Sequence, residues 1–214
     1  MIKISQLVED ALTTDEIALE ALRAGILNFS AYAEKIRPLI EKKLYKEVKK
    51  GSIVTALSRM AGKSKKLRPL RVNVHLEDLS IKSPLCEISY EISKEVSLKV
   101  SNLLAKHAGR GFFTSTQGIG EVSVIVPQSF KKEVIASIKT KPKGQYENLA
   151  AITVRFIEEE YIEVPNMIYT LISVLASKRI NIIEIVSTFT EISFIVRQND
   201  MKDTIEVLKD NFLF

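Results

Sequence analysis

The 214-residue chain has one cysteine, two histidines and eight glycines. The lone Cys86 excludes an intrachain disulfide and a thiolate cluster for metal. Its setting in LCEISYEI marks a buried small hydrophobe rather than a reactive thiol. His75 and His107 stand too far apart to form a site on their own, and His107 reads as a helix-end residue satisfied by the C-terminal dipole. GxxxxGK[ST], HExxH and CxxC are all missing. The string GRGFFT, Gly109 to Thr114, joins a helix to a strand, whereas phosphate cradling needs strand then helix, so its glycines are expected to turn the chain. These gaps predict a protein that is not an enzyme and carries no metal or cofactor. No apolar run approaches the roughly 18 residues that cross a bilayer. The start, MIKISQLVEDALTT, has acids where a signal peptide is apolar, so a soluble, cytoplasmic protein is expected.

What is present is ordinary globular material, 46% hydrophobic and 27% charged, long enough for two or three small domains. The net charge of +5 is unevenly placed. Met1 to Arg71 holds fifteen Lys and Arg against eight Asp and Glu, net +7, and Val72 to Phe214 holds sixteen against eighteen, net −2. The asymmetry suggests that one end meets a polyanion while the other does something else, the plain alternative being a solvated lysine surface on a structural helical domain.

The acidic part repeats. GEVSVIVPQSFKKEVIASIK, from Gly120, and TEISFIVRQNDMKDTIEVLK, from Thr190, match without a gap at eight of twenty positions: Glu121/Glu191, Ser123/Ser193, Ile125/Ile195, Val126/Val196, Gln128/Gln198, Lys132/Lys202, Ile135/Ile205 and Lys139/Lys209. Each begins with period-2 alternation and continues with apolar residues three and four apart, a strand followed by a helix. Upstream, SKEVSLKVSNLLAKHAGRGFFTST and EVPNMIYTLISVLASKRINIIEIVST both read helix then strand, and LCEISYEI and LAAITVRFI add a strand before each. The unit is β-α-β-β-α, about seventy residues long, with helices covering one face of a sheet, an α+β solution.

In VPNMIYTLISVLASKRINI and IVSTFTEISFIV the second unit resembles the ACT domain, above all the regulatory ACT modules of aspartate kinases. The resemblance covers roughly Glu147 to Phe214, and through the repeat Pro84 to Lys139. It implies two ferredoxin-like units that pair sheet to sheet as a homodimer and bind a small effector, usually an amino acid. The family commonly has Gly after Val-Pro; here it is Asn166, which tolerates left-handed backbone but narrows the space for a ligand. The final helix leaves no room for a closing fourth strand before Phe214; the alternating RVNVHLEDLSI, Arg71 to Ile81, could supply it from upstream and interleave the units, and its pattern leaves open whether it pairs with the first unit or the second.

An amino acid needs donors for its carboxylate and acceptors for its ammonium group. A helix N-terminus offers unsatisfied N–H groups, and Pro165 suits a first helical position. The candidate ligand residues are Glu163, Val164, Pro165, Asn166 and Met167 at the helix head, with Asn181, Ile182 and Ser187 around the edge strand. The plain alternative makes EEEYIE, Glu158 to Glu163, a solvated acidic loop.

In the basic third, Thr14 is expected to cap a helix ended by Gly25, Ser30 to cap a second, and Pro38 to break it or start the next. Ser52 is expected to cap a last helix whose inward stripe is Ile53, Val54, Leu57 and Met60. Glu34 to Arg71 contains thirteen basic and three acidic residues. Short helices, the last polar on its outer face and followed by KSKKLRPLR, resemble a helix-turn-helix or winged-helix module. Its DNA-contacting candidates are Ser52, Thr55, Ser58, Arg59, Lys63, Lys65, Lys66 and Arg68. The expected domains are 1–66 helical, 67–83 linker or extra strand, 84–144 the first ACT-like unit and 145–214 the second. The function that follows is an amino-acid-responsive transcriptional regulator, or else a non-catalytic subunit that docks on a metabolic enzyme.

Overall fold

Apolar residues spaced three and four apart make the start of the chain helical. The computed structural model describes residues 3–62, 69–157 and 164–212, and it divides into Met1–Arg71 and Val72–Phe214. The first unit holds α1 (Ile4–Thr13), α2 (Glu16–Arg23), α3 (Phe29–Leu44) and α4 (Lys50–Ala61). Val8, Leu12, Leu22, Ile40, Ile53 and Leu57 close on one core.

The helix starts differ from expectation. Asp15, not Thr14, caps α2, its carboxylate accepting from the Ala18 N–H at 3.1 Å. Thr14 ends α1 instead, its hydroxyl donating to the Asp10 carbonyl at 3.0 Å. Asn28, not Ser30, caps α3 by accepting from the Ala31 N–H at 3.0 Å. Pro38 neither breaks nor starts a helix, because Tyr32, Ala33, Ile36 and Ile40 bury one continuous face around it, and that burial outweighs the one backbone bond proline removes. α4 begins at Lys50, which puts Ser52 inside its first turn rather than at its cap. The buried residues of α4 are Ile53, Ala56 and Leu57, with Val54 and Met60 half-buried.

The second unit follows the repeat. Its elements are β1 (Leu76–Glu91), α5 (Lys94–Lys106), β2 (Thr114–Gln117), β3 (Glu121–Pro127), α6 (Lys131–Ile138), β4 (Gly144–Phe156), α7 (Met167–Ser177), β5 (Ile182–Ser187), β6 (Glu191–Arg197) and α8 (Met201–Asn211). Gly109 and Gly111 adopt φ values of 78° and 123° between α5 and β2, where a side chain would be strained. The strands form one antiparallel sheet in the order β2-β3-β1-β4-β6-β5.

The order has a cause. Leu76–Lys82 of β1 pairs with β4 from Phe156 to Ala151, closing the second repeat, while Leu85–Glu91 pairs with β3 in the first. β4 does the reverse: Gly144 to Leu149 runs beside β1 in the first repeat, and Leu149 to Arg155 pairs with β6 in the second. Each long strand therefore ends one repeat and begins the other. The register slips at Leu76/Asp78, and again where the repeats meet, at Lys82/Leu85 with the extra residue on β1 and at Leu85/Glu87 with it on β4; such bulges bend a strand and increase its twist. Arg71 to Ile81 thus gives its strand, from Leu76, to the second repeat, and the two repeats share one sheet.

Alternation along each strand splits the core in two. One face packs Cys86, Ile88, Tyr90, Val122, Val124 and Val126 under α5 and α6, and Ala150, Ile152, Val154, Ile192, Phe194 and Val196 under α7 and α8. The other face gathers Leu85, Ile125, Leu149, Ala151 and Ile195. Cys86 is fully buried, and burial pushes its thiol up to about 11, as the hydrophobe reading requires. His107 does end α5, but its ring is buried between Phe113 and Phe130, at centroid distances of 4.9 and 4.8 Å, with Nε2 2.9 Å from Glu133 Oε1. Packing and a carboxylate hold it, so the dipole alone is not the explanation.

Because the repeats share β1 and β4, Val124→Ala in the first and Phe194→Ala in the second should lower the same unfolding transition, the latter by about 3–5 kcal/mol. Urea unfolding followed at probes in both repeats checks this; separate transitions for the two halves would contradict it.

Candidate functional site

α7 starts two residues later than proline chemistry suggests. Asn166 precedes it in left-handed backbone, φ 72° and ψ 14°, so Pro165 sits in the preceding turn and Met167 is the first helical residue. Asparagine tolerates this conformation better than most side chains. The Asn166 carbonyl receives both the Thr170 N–H at 2.9 Å and the Thr170 hydroxyl at 2.8 Å, and that hydroxyl accepts from the Val72 N–H at 3.0 Å. The buried Thr170 thereby pins the turn to the start of the sheet-bearing unit.

The two repeats differ at this point. Ser93 caps α5 by accepting from the Val96 N–H at 3.1 Å, and Glu95 puts a negative charge in its first turn. Among the described residues α7 has no side-chain cap, and its first turn holds no acid. Only the second of these heads keeps donors and dipole available to a carboxylate. Val164 is half-buried, Pro165 and Asn166 are exposed, and the Met167 side chain is buried in the core, which leaves its backbone facing the head.

The edge strand contributes unevenly. Ser187 pairs with Ile192, whose neighbour on β4 is Val154, so it stands at the end of the sheet from which the chain leaves for α7. Ile182 pairs with Val196 on the rung of Ala150, and Asn181 precedes it, so both lie at the other end, beyond the roughly 16 Å length of α7. Glu163, with the rest of EEEYIE, lies outside the described residues.

Sequence reasoning missed a groove at that same end. It has a volume of about 370 Å³ and is lined by Glu77, Arg155, Phe156, Ile157, Thr190 and Glu191. Arg155 donates to Glu191 Oε1 from Nε at 3.2 Å and from Nη2 at 2.9 Å. Glu191, first by these bonds and then by charge, with Glu77 and Asp78 adding to it, raises the guanidinium's hold on its proton. A guanidinium among carboxylates and a threonine is chemistry that suits a zwitterion. The available signal was Arg155 closing the strand LAAITVRF just before the acidic run EEEYIE of the sequence.

Among the DNA candidates, Ser52, Thr55, Ser58 and Arg59 are exposed along α4, with the Thr55 hydroxyl turned back to the Gly51 carbonyl at 2.8 Å. Lys63, Lys65, Lys66 and Arg68 lie outside the described residues. Among the described residues no three His, Cys, Asp or Glu are grouped to hold a metal, and no helix is long and apolar enough to cross a membrane.

No family model matches the chain, and no curated protein matches its sequence. Solved structures do match. The aspartate kinase of Clostridium acetobutylicum, an allosteric enzyme, aligns with a TM-score of 0.55 at 15% identity, over 66% of this chain and 35% of that one. The regulatory subunit of aspartate kinase from Thermus thermophilus, in a ligand-free form, aligns at 0.52 and 13% identity over 66% of this chain and 99% of its own. That of Thermus flavus gives 0.52 and 12% over 64% and 98%. At such identities the likeness is one of fold. The chain thus carries the α+β arrangement of ACT-type regulatory domains.

The left-handed turn makes a stability prediction: Asn166→Val should cost about 1–2 kcal/mol, because a Cβ-branched residue resists that backbone, and Asn166→Gly should not. Chemical denaturation of the three proteins checks the order.

Proposed function

We propose that the protein is a regulatory protein that senses a small amino acid at the α7 head of its second repeat. The observation that carries this is the difference between the two helix heads, one capped by Ser93 and one left uncapped at Asn166. In this reading the backbone N–H groups beyond Pro165 hold the ligand carboxylate, and Ser187 lies at the same end of the sheet. Val164, Asn166 and Met167 frame the turn, and Glu163 precedes them in the sequence. Asn181 and Ile182 would reach such a site only from a second copy, through an edge-to-edge homodimer.

The output runs through the helical unit, and DNA is the target we favour. The exposed face of α4 presents Ser52, Thr55, Ser58 and Arg59 without an acid, and the basic run containing Lys63, Lys65, Lys66 and Arg68 follows it. The competing output is docking on a metabolic enzyme. It is favoured by a groove of about 650 Å³ between α1 and α3, where Leu39 and the almost fully exposed Tyr45 stand beside Lys42 and Lys43.

A thermal-shift screen of the proteinogenic amino acids tests the sensing role. One of them should raise the melting temperature, with a stabilisation of about 2.7 kcal/mol at a hundredfold excess over Kd. If none shifts the transition, the protein is not an amino-acid sensor. Binding to genomic DNA fragments that weakens steeply with salt and is lost in Arg59→Ala selects the transcriptional output; salt-insensitive or absent binding selects the docking subunit.

A further inference from the structure

The face of the sheet away from the helices holds a carboxylate that the repeat does not call for. Glu87 stands opposite Ile125 on β3, just as Ala151 stands opposite Ile195 on β6, and Ile125 and Ile195 are equivalent in the repeat. The rest of the pattern is kept: Ser89 and Ser123 share a hydrogen bond of 2.9 Å, and Thr153 and Ser193 share one of 2.7 Å. Glu87 therefore replaces a methyl group in an otherwise apolar layer with Leu85, Leu149 and Ile195. It is 7% exposed. Its Oε1 accepts from the Ser89 hydroxyl at 3.3 Å, and its Oε2 is buried without a partner.

A second carboxylate faces it. β2 and β5 are the two ends of the sheet, yet Thr116 on β2 donates to Glu184 Oε1 on β5 at 2.5 Å, so the sheet curls until its edges meet. Among the described residues neither Glu87 nor Glu184 has a basic partner. By register and alternation the other ionisable groups on this face are Asp78, the exposed Lys82 opposite Ala151, Glu91, Glu121 with its partner Lys143, Tyr146 opposite Glu87, Arg155 with its partner Glu191, and Arg197; β2 carries none. An ionised, unpaired carboxylate in such a layer is costly, and the repeat shows that alanine would serve the packing.

We propose that Glu87 and Glu184 form a proton-linked latch between the edge strands β2 and β5, closed while the Glu87 carboxyl carries a proton and released when it ionises. A neutral Glu87 leaves the Thr116–Glu184 bond undisturbed. An ionised one repels Glu184 and draws in water, parting the two edges and uncovering the apolar residues beneath them, Phe112, Ile183 and Val186. Burial, and then the charge of Glu184, raise the Glu87 carboxyl above its ordinary value, while bonds from Ser123 and Ser89 work the other way. The sign follows. Between the ordinary and the raised value the closed form binds the proton and the open form does not, so closure weakens as pH rises through that window and is unaffected below it.

The test is hydrogen exchange of the full-length protein across pH 4 to 8, comparing wild type with Glu87→Gln at each pH so that the intrinsic pH dependence of exchange cancels. Protection of the β2 and β5 amides in the variant relative to wild type should rise by up to tenfold per pH unit, the limit for one proton, while the central β1–β4 pairing shows no change in that ratio. Glu87→Ala, which copies the residue of the other repeat, should fold and lose the pH dependence too. Carboxyl NMR of wild type should show Glu87 titrating above the ordinary range. A protection ratio that stays flat with pH, or a Glu87 that titrates as an ordinary carboxyl, would overturn the proposal.

Discussion

The side-by-side pairing of β1 and β4 is the constraint on which the sheet-bearing unit depends. Each repeat alone supplies three strands and two helices, and each borrows its fourth strand from the half of β1 or β4 that belongs to the other. Neither sheet can be complete without its neighbour. The bulges on the two long strands let both change partners where the repeats meet, and everything placed at the sheet's ends follows from that crossing. The uncapped head of α7, the groove of Arg155 and Glu191, and the meeting of Thr116 with Glu184 are all positioned by it.

Shared strands also explain how a local change can be felt elsewhere in this unit. A ligand can only shift an equilibrium by binding one arrangement better than another. The two arrangements suggested by the chemistry are a sheet whose edges meet and one whose edges part, with β5 belonging to both the ligand end and the latch. Ser187 lies on that strand at one end and Glu184 near its middle. Two copies of such a unit would offer the same edges to each other, which ties effector binding and pairing to one strand.

Much of this organisation was legible in the sequence. Eight identities at an offset of seventy were enough for β-α-β-β-α written twice, and the alternation of RVNVHLEDLSI marked it as a spare strand. Its destination was not legible, because either repeat lacks a fourth strand and only the register of Leu76 with Phe156 decides between them. Capping misled by one to three residues at Thr14, Ser30 and Ser52, since Asp15, Asn28 and a capless start at Lys49 reach or forgo the same N–H groups. At the ligand turn, Asn166 was recognisable as a left-handed residue. The position of Asn181, and the closeness of Glu87 to Glu184, depend on how the sheet runs and curls, which no local pattern encodes. Glu87 was visible only as one more alternating residue of CEISYEI.

In the proposed function the two repeats are alike in fold and unlike in use, the ligand being taken by the uncapped α7 head. Hydrogen exchange resolved to single amides, with and without the amino acid that most raises the melting temperature, tests it most directly. Exchange should slow at Met167 to Tyr169 and along the Ser187 end of β5, with Glu95 to Ser97 at the head of α5 unchanged. Protection at the α5 head, or at both heads equally, would contradict it.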